Sequence, residues 1–289
     1  MERYLRQVIL PEIGYSKQKE LAKKRVLVIG VGALGGVISV YLAAFGVGYL
    51  RLVDFDKISI SNLHRQVFYK LKDIGNEKTK VIKEYINEQN PEVVVDILNE
   101  PFGYDNFEKI IKDIDIIVDG TDRLSRKFLI ADISRIYSIP WVFGSIYRFE
   151  GMVAFFDGTF CLRCVFDERY DAPSCEASGV FTPVSSLIAS LQTSFTLKYL
   201  LNLNLKRNTL FVFDLLSDNF FNYKVKKKTK CLCANKKELR KNLDKYKDIE
   251  ISEIKDCKDS IVFDLSNYPS LKNNNDIDKM IQEIRFLLS

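Results

Sequence analysis

Only one histidine, His64, occurs in the sequence, and that scarcity excludes several chemistries at once. No site built on two or more histidines can hold a metal, and a Ser-His or Cys-His nucleophile has a single possible partner. Long uncharged apolar runs are missing too. No window reaches the roughly 18 residues of a membrane-spanning helix, and the N-terminus is charged from Glu2 onward, without the apolar core of a secretory leader. The expectation is a soluble, cytoplasmic protein. Charge of one sign is also scarce: the net charge is +5 over 289 residues, and Lys224, Lys226, Lys227, Lys228 and Lys230 form the one dense basic cluster. Neither nucleic acid nor membrane is an expected partner. Six cysteines without a leader do not suggest a disulfide framework. With 47% hydrophobic residues there is enough for a real core, in one large domain or one domain plus an appendage.

The stretch from Arg25 to Asp56 organises the chain. Val26 to Ile29 is a short β-branched run, as in a strand buried on both faces. Gly30, Gly32 and Gly35 follow in the spacing GxGxxG: the first permits a tight turn, the second lets backbone approach a phosphate, and the third lets helix and strand pack closely. A helix fits Leu34 to Phe45 and a second strand Leu50 to Val53, ended by Asp54. An acid about 20 residues past the glycines is where such folds place a carboxylate against a ribose hydroxyl. The motif predicts a nucleotide site and leaves open whether NAD or ATP fills it.

Along the chain, Arg3, Arg6 and Gln7 read as a solvated arm ahead of a helix at Ser16 to Lys24. A polar loop, Lys57 to Tyr69, sits at a strand's carboxyl end, where ligands bind in open sheets. Then come a helix at Glu77 to Asn90 with Val81, Ile82, Tyr85 and Ile86 inward, a strand at Glu92 to Leu98, a helix at Tyr104 to Lys112, a strand at Asp115 to Val118, a helix to Tyr137 and a strand at Trp141 to Phe143. This alternation predicts an α/β fold, a Rossmann-like, doubly wound and mostly parallel sheet. From Gly151 the pattern turns hairpin-like and predicts an antiparallel extension. Thr182 is expected to cap a helix with Pro183 at its first position, and strands at Thr209 to Asp214 and Asn219 to Val225 close the domain.

Several stretches together carry a resemblance: RYLRQ at Arg3 to Gln7, the glycine motif, LVDFD at Leu52 to Asp56, SNLHRQ at Ser61 to Gln66, GNEK at Gly75 to Lys78 and GTD at Gly120 to Asp122. The chain resembles the adenylating domain of ubiquitin-activating enzymes, in the stand-alone prokaryotic branch of MoeB, ThiF and HesA, over about residues 1 to 233. The resemblance implies a homodimer that uses ATP and magnesium to adenylate the C-terminal Gly-Gly carboxylate of a small ubiquitin-like sulfur-carrier protein, for molybdopterin, thiamin or related biosynthesis, in some members with a sulfur donor protein as a further partner. It assigns Arg65 and Lys78 to the β- and γ-phosphates, Arg6 to the other subunit's ATP site in the manner of an arginine finger, Asp54 to the ribose, Asp56, Asn62 and Gln66 to nearby polar contacts, and Asp122 to magnesium. Where the family commonly has asparagine after that aspartate, this chain has Arg123, with Arg126 one turn further on. His64 reads as a hydrogen-bonded loop residue without a proton-transfer role. The chemistry is consistent with this inventory, since an ionised carboxylate needs orientation and neutralised phosphate charge, not a general base.

Cys161 and Cys164 are spaced CxxC, and Cys231 with Cys233 forms a CxC pair. Two chelating pairs of thiolates suit a closed structural zinc site, with reduced free cysteines as the alternative. The family has such a site with CxxC in both halves. Cys175 matches a family loop cysteine that is covalent with the carrier or a sulfur donor in some members and dispensable in others. Residues 234 to 289 read as a small appendage on the 1 to 233 domain, with helix-like Glu238 to Tyr246, strand-like Ser260 to Leu265, and a last amphipathic helix carrying Ile277, Met280, Ile281, Ile284, Leu287 and Leu288. This order resembles the opening of a rhodanese-like domain without an active-site loop; Cys257 reads as incidental. Two other function classes compete: an NAD-dependent oxidoreductase, which the glycine motif alone permits, and a catalytically silent scaffold for a ubiquitin-like protein, which would normally have lost the phosphate ligands kept here.

Overall fold

The computed structural model describes residues 2–158, 161–166, 179–228 and 230–247. In chain order the elements are α1 (Leu5–Val8), α2 (Gly14–Leu21), β1 (Arg25–Ile29), α3 (Gly35–Phe45), β2 (Tyr49–Val53), α4 (Lys78–Gln89), β3 (Val94–Leu98), α5 (Phe107–Ile110), β4 (Ile116–Asp119), α6 (Leu124–Tyr137), β5 (Trp141–Tyr147), β6 (Glu150–Phe156), α7 (Thr182–Leu200), β7 (Thr209–Asp214), β8 (Asn219–Lys224) and α8 (Lys236–Asn242). The strands form one eight-stranded sheet in the order β3-β2-β1-β4-β5-β6-β7-β8. Strands β3 to β5 in that order are parallel, and β6, β7 and β8 extend the sheet antiparallel. This is the expected doubly wound architecture with its antiparallel extension.

Because strand side chains alternate between faces, β1 feeds two cores. Leu27 and Ile29 pack with α5, α6 and the cysteine loops on one face, and Val26 and Val28 with α3, α4 and α7 on the other. Ile82 and Ile86 are the fully buried residues of the expected α4 stripe, with Val81 and Tyr85 partly buried beside them. The β1 to α3 turn is as tight as the glycines suggest. Gly30 has φ of 82°, and a Cβ on Gly35 would stand 1.8 Å from the Gly30 carbonyl oxygen.

Three local expectations need correction. The N-terminal arm is anchored rather than solvated: Tyr4 is buried and its hydroxyl accepts a 2.8 Å bond from Asn90 Nδ2, while Gln7 Nε2 donates to the Phe45 carbonyl at 3.0 Å. Burial of one ring and two satisfied amides outweigh the exposure of Arg3 and Arg6. The helix expected over Tyr104 to Lys112 is only Phe107–Ile110, because Asn106 locks the preceding turn by accepting from the Gly103 amide at 2.9 Å and donating to the Pro101 carbonyl at 2.8 Å. Thr182 does not cap α7. Phe181 occupies that position, and the Thr182 hydroxyl instead donates to the His64 carbonyl at 2.9 Å, tying the helix to the polar loop. The last strand and helix read from the sequence lie outside the described residues, as does Cys257. Within them, α8 and the turn Leu243–Tyr246 pack on the α6 side, with Leu239, Leu243 and Tyr246 in the core. No helix among the described residues is long and apolar enough to cross a membrane.

The glycine turn makes a paired prediction. Gly35→Ala drives a methyl into backbone and should cost more than about 3 kcal/mol in urea denaturation, or prevent folding. Gly36→Ala, whose nearest neighbour would be the Val31 carbonyl oxygen at 3.7 Å, should be neutral or stabilise by up to about 1 kcal/mol. Equal effects would remove the close-packing argument.

Candidate functional site

A cavity of about 410 Å³ opens at the carboxyl ends of β1, β2 and β4. Gly30 and Gly32 line its floor, and a Cβ on Gly32 would meet little but Gln66 Nε2 at 3.4 Å, so the backbone there is open to a ligand. Gly35 lies below the cavity as a packing residue. Asp54, at the end of β2, is half-buried and accepts from the amides of Val31 at 2.6 Å and Asp56 at 2.8 Å. Burial pushes its carboxyl above the usual carboxylate range, while the Lys78 charge and these amides pull it back.

Lys78 begins α4 and is almost wholly buried, with its Nζ bound to Asp56 at 2.7 Å. A lysine withdrawn from water and held by one carboxylate on a cavity wall is preorganised for phosphate. Arg65 is half-buried on the same wall, its Nη1 donating to the Ser61 carbonyl at 2.8 Å. Asn62 is buried and accepts from the Ser59 amide at 3.1 Å, fixing the loop that carries Arg65. Gln66 is buried, and its Oε1 has no hydrogen-bond partner among the described residues. Asp122 is exposed on the opposite wall, just before α6. The structure thus brings Gly30, Gly32, Asp54, Asp56, Asn62, Arg65, Gln66, Lys78 and Asp122 to one cavity. Arg6 is not among its lining residues and lies exposed on α1. Cys175 lies outside the described residues.

Several supports were not legible in the sequence. Lys127 on α6 is buried and donates to Asp119 Oδ2 at 2.8 Å, the Thr121 carbonyl at 2.6 Å and the Gly144 carbonyl at 2.6 Å. Asp119 in turn accepts from the Thr121 amide at 2.9 Å and hydroxyl at 2.7 Å, and Gln192 of α7 donates to its carbonyl at 2.7 Å. This network fixes the turn that presents Asp122. A lysine in the first turns of a helix reads as solvent-facing, and only the position of α6 over the sheet buries it. Tyr69 likewise donates to the Val31 carbonyl at 2.5 Å beneath the glycine turn, and burial pushes its hydroxyl well above its ordinary range.

The four cysteines converge on the face of the sheet covered by α5 and α6. Cys161 and Cys231 each precede a 3-10 turn, Leu162–Cys164 and Leu232–Ala234, and the four buried Sγ atoms lie within 4.8 Å of one another. Neighbouring sulfurs are 3.4, 3.8 and 3.9 Å apart. Tetrahedral zinc with Zn–S near 2.3 Å sets sulfurs about 3.8 Å apart, so this donor set fits that ion. Arg163, between the first two cysteines, forms a buried ion pair with Asp132 of α6, one of its bonds being 2.9 Å, and Tyr246 donates to the same carboxylate at 3.1 Å.

A family model described as "ThiF family" matches residues 4–233. The chain is 33% identical over 256 residues to a protein of Thermus thermophilus named "Sulfur carrier protein adenylyltransferase", covering 84% of this chain and 94% of that one. It is 36% identical over 205 residues to the "Probable adenylyltransferase/sulfurtransferase MoeZ" of Mycobacterium tuberculosis, covering 68% of this chain and 52% of that protein, so it spans about half of MoeZ. The solved structure of E. coli MccB matches with a TM-score of 0.72 at 22% identity, over 81% of this chain and 72% of that one, a likeness of fold.

Proposed function

The chain belongs to the ThiF family, and we propose that it is an ATP-dependent adenylyltransferase activating the C-terminal glycine carboxylate of a small ubiquitin-like sulfur-carrier protein. The observation that carries this reading is the single cavity in which the glycine turn, Asp54, Arg65, the Asp56-held Lys78 and Asp122 meet. In the reaction a carboxylate oxygen of the carrier's last glycine attacks the α-phosphorus of ATP. The bond from that phosphorus to the bridging oxygen breaks, and pyrophosphate leaves with the electron pair. The nucleophile is already ionised, so the protein orients it and neutralises charge. Lys78 and Arg65 meet the departing phosphates, Asp54 holds the ribose, and Asp122 is the carboxylate placed to hold magnesium. That ion, when bound, neutralises phosphate charge.

The remaining roles follow from the same reading. Arg6 completes the site of a second subunit in a homodimer, a reading supported by its absence from its own cavity's lining and by the exposed Leu5, Ile9 and Leu10 around it. Zinc joins Cys161, Cys164, Cys231 and Cys233 and pins the residue 161–166 loop to the segment leading into α8. Residues 1–233 act as the adenylating domain with 234–289 as its appendage, in the cytoplasm, supplying sulfur for molybdopterin, thiamin or a related product. Cys175 stands as a candidate for covalent transfer to the carrier or a sulfur donor.

Three outcomes check this reading. Pyrophosphate–ATP exchange should require magnesium and a carrier ending in Gly-Gly; Asp122→Ala should abolish it, and Arg65→Ala should slow it about 10²- to 10³-fold. Metal analysis should find about one zinc per chain, and Cys161→Ser should release it and lower the melting temperature; unchanged stability after complete metal removal would contradict the structural role. Mixing Arg6→Ala with Asp122→Ala subunits should regenerate one intact site per heterodimer and restore activity towards half the wild-type rate. Demonstrated subunit exchange without recovered activity would place Arg6 outside the partner's site.

A further inference from the structure

Among the cations lining the cavity, Arg126 is one that the adenylation chemistry leaves unused. It lies in the first turn of α6, half-buried on the cavity wall, and its guanidinium makes no hydrogen bond or ion pair among the described residues. Lys78, Lys127 and Arg65 all have partners there. A planar group with five donors, partly withdrawn from water and given no acceptor, is costly to keep. Burial, followed by the nearby Arg123 charge, lowers its proton affinity, with Asp122 opposing them. A ligand that supplies acceptors or an aromatic face would relieve that cost.

The position says which part of a ligand this is. A methyl group on Gly103 would stand 3.7 Å from Arg126 Nη1, so the guanidinium hangs over the loop that follows β3. In sheet order β3 neighbours β2, whose end carries Asp54, and β1 with the glycine turn lies beyond β2. A nucleotide with its phosphates at the glycine turn and its ribose on Asp54 therefore directs its base towards the β3 side. The cavity wall there consists of Glu100, Pro101, Phe102 and Arg126. Glu100 is itself steadied by Asn106 at 3.2 Å and Lys109 at 3.4 Å.

We infer that Arg126 and Glu100 form the base subsite and select adenine, Arg126 donating to a ring nitrogen or stacking on the ring while Glu100 accepts from the exocyclic amino group. The inference rests on the adenylation reading for the ribose and phosphate positions. Donor and acceptor together match adenine, which offers ring-nitrogen acceptors and an amino donor; a hypoxanthine base keeps ring acceptors and lacks that amino group.

Isothermal titration separates the possibilities, with ATP, inosine triphosphate and inorganic tripolyphosphate as magnesium complexes and circular dichroism confirming folded variants. Arg126→Ala should weaken ATP about tenfold and leave tripolyphosphate unchanged. Arg126→Lys, which keeps charge and loses the planar fork, should also weaken ATP, and it carries the test if the alanine variant does not fold. Glu100→Gln should narrow the preference for ATP over inosine triphosphate. An equal loss for ATP and tripolyphosphate would make Arg126 a phosphate ligand and overturn the inference, as would unchanged ATP affinity in both Arg126 variants or an unchanged ATP preference in Glu100→Gln. These results leave the adenylation reading standing, whereas wild-type protein that binds no ATP would bring down both.

Discussion

The structure depends on the contact of three backbone turns, at Gly30, Gly35 and Gly120. A Cβ on Gly120 would lie 2.4 Å from the Gly30 carbonyl oxygen, and one on Gly35 would lie 1.8 Å from the same atom. The Gly30 amide donates to the Val53 carbonyl at 2.8 Å, and the Gly120 amide to the Ile29 carbonyl at 2.7 Å. Strands β1, β2 and β4 are thereby locked at their carboxyl ends. That lock sets the distance between the wall carrying Asp54 and Lys78 and the wall carrying Asp122. No side-chain contact could hold the two walls so closely, because any side chain at these positions would separate them.

Buried charge then fixes what the glycines bring near. Lys127 with Asp119 holds the turn that presents Asp122 against β5, and Lys78 with Asp56 holds the start of α4 against the polar loop. The Lys127 pair has lost water on both sides and so depends on the other hydrogen bonds around it, whereas Asp56 keeps contact with solvent while Lys78 is buried. The three carbonyl and carboxylate acceptors of Lys127 supply this for the first pair. A second buried pair, Arg163 with Asp132, does the same between the cysteine loop and α6, and Tyr246 couples the C-terminal segment to it. The sheet is therefore tied at the carboxyl ends of its strands by charge around the cavity and on the α6 face by the convergence of four thiols.

The sheet and the cavity were legible because their signals are local. Val26 to Ile29, the glycine spacing, and the acid at Asp54 lie within one supersecondary unit, and each residue's chemistry is visible beside its neighbours. The four cysteines were legible because thiols have few other uses in such pairs. Lys127, Gln192 and Tyr69 were not, since their partners are 8, 73 and 38 residues away, and nothing nearby in the sequence marks them as buried. Thr182 shows the same limit in reverse: its local pattern is a good helix cap, yet the His64 carbonyl takes its hydroxyl. Arg6 is the intermediate case: its type and place carry a resemblance, and the structure leaves it exposed and outside the cavity lining.

The central claim is that the cavity moves AMP onto a carrier's carboxylate. Incubating the protein with ATP labelled at the α-phosphate, magnesium and a matched carrier ending in Gly-Gly, then measuring the carrier's intact mass and label, tests this directly. The account predicts a carrier heavier by one AMP and labelled, dependent on the free terminal carboxylate and absent with Lys78→Ala. A carrier of unchanged mass with no label, alongside tight binding of NADH in the same cavity, would contradict it.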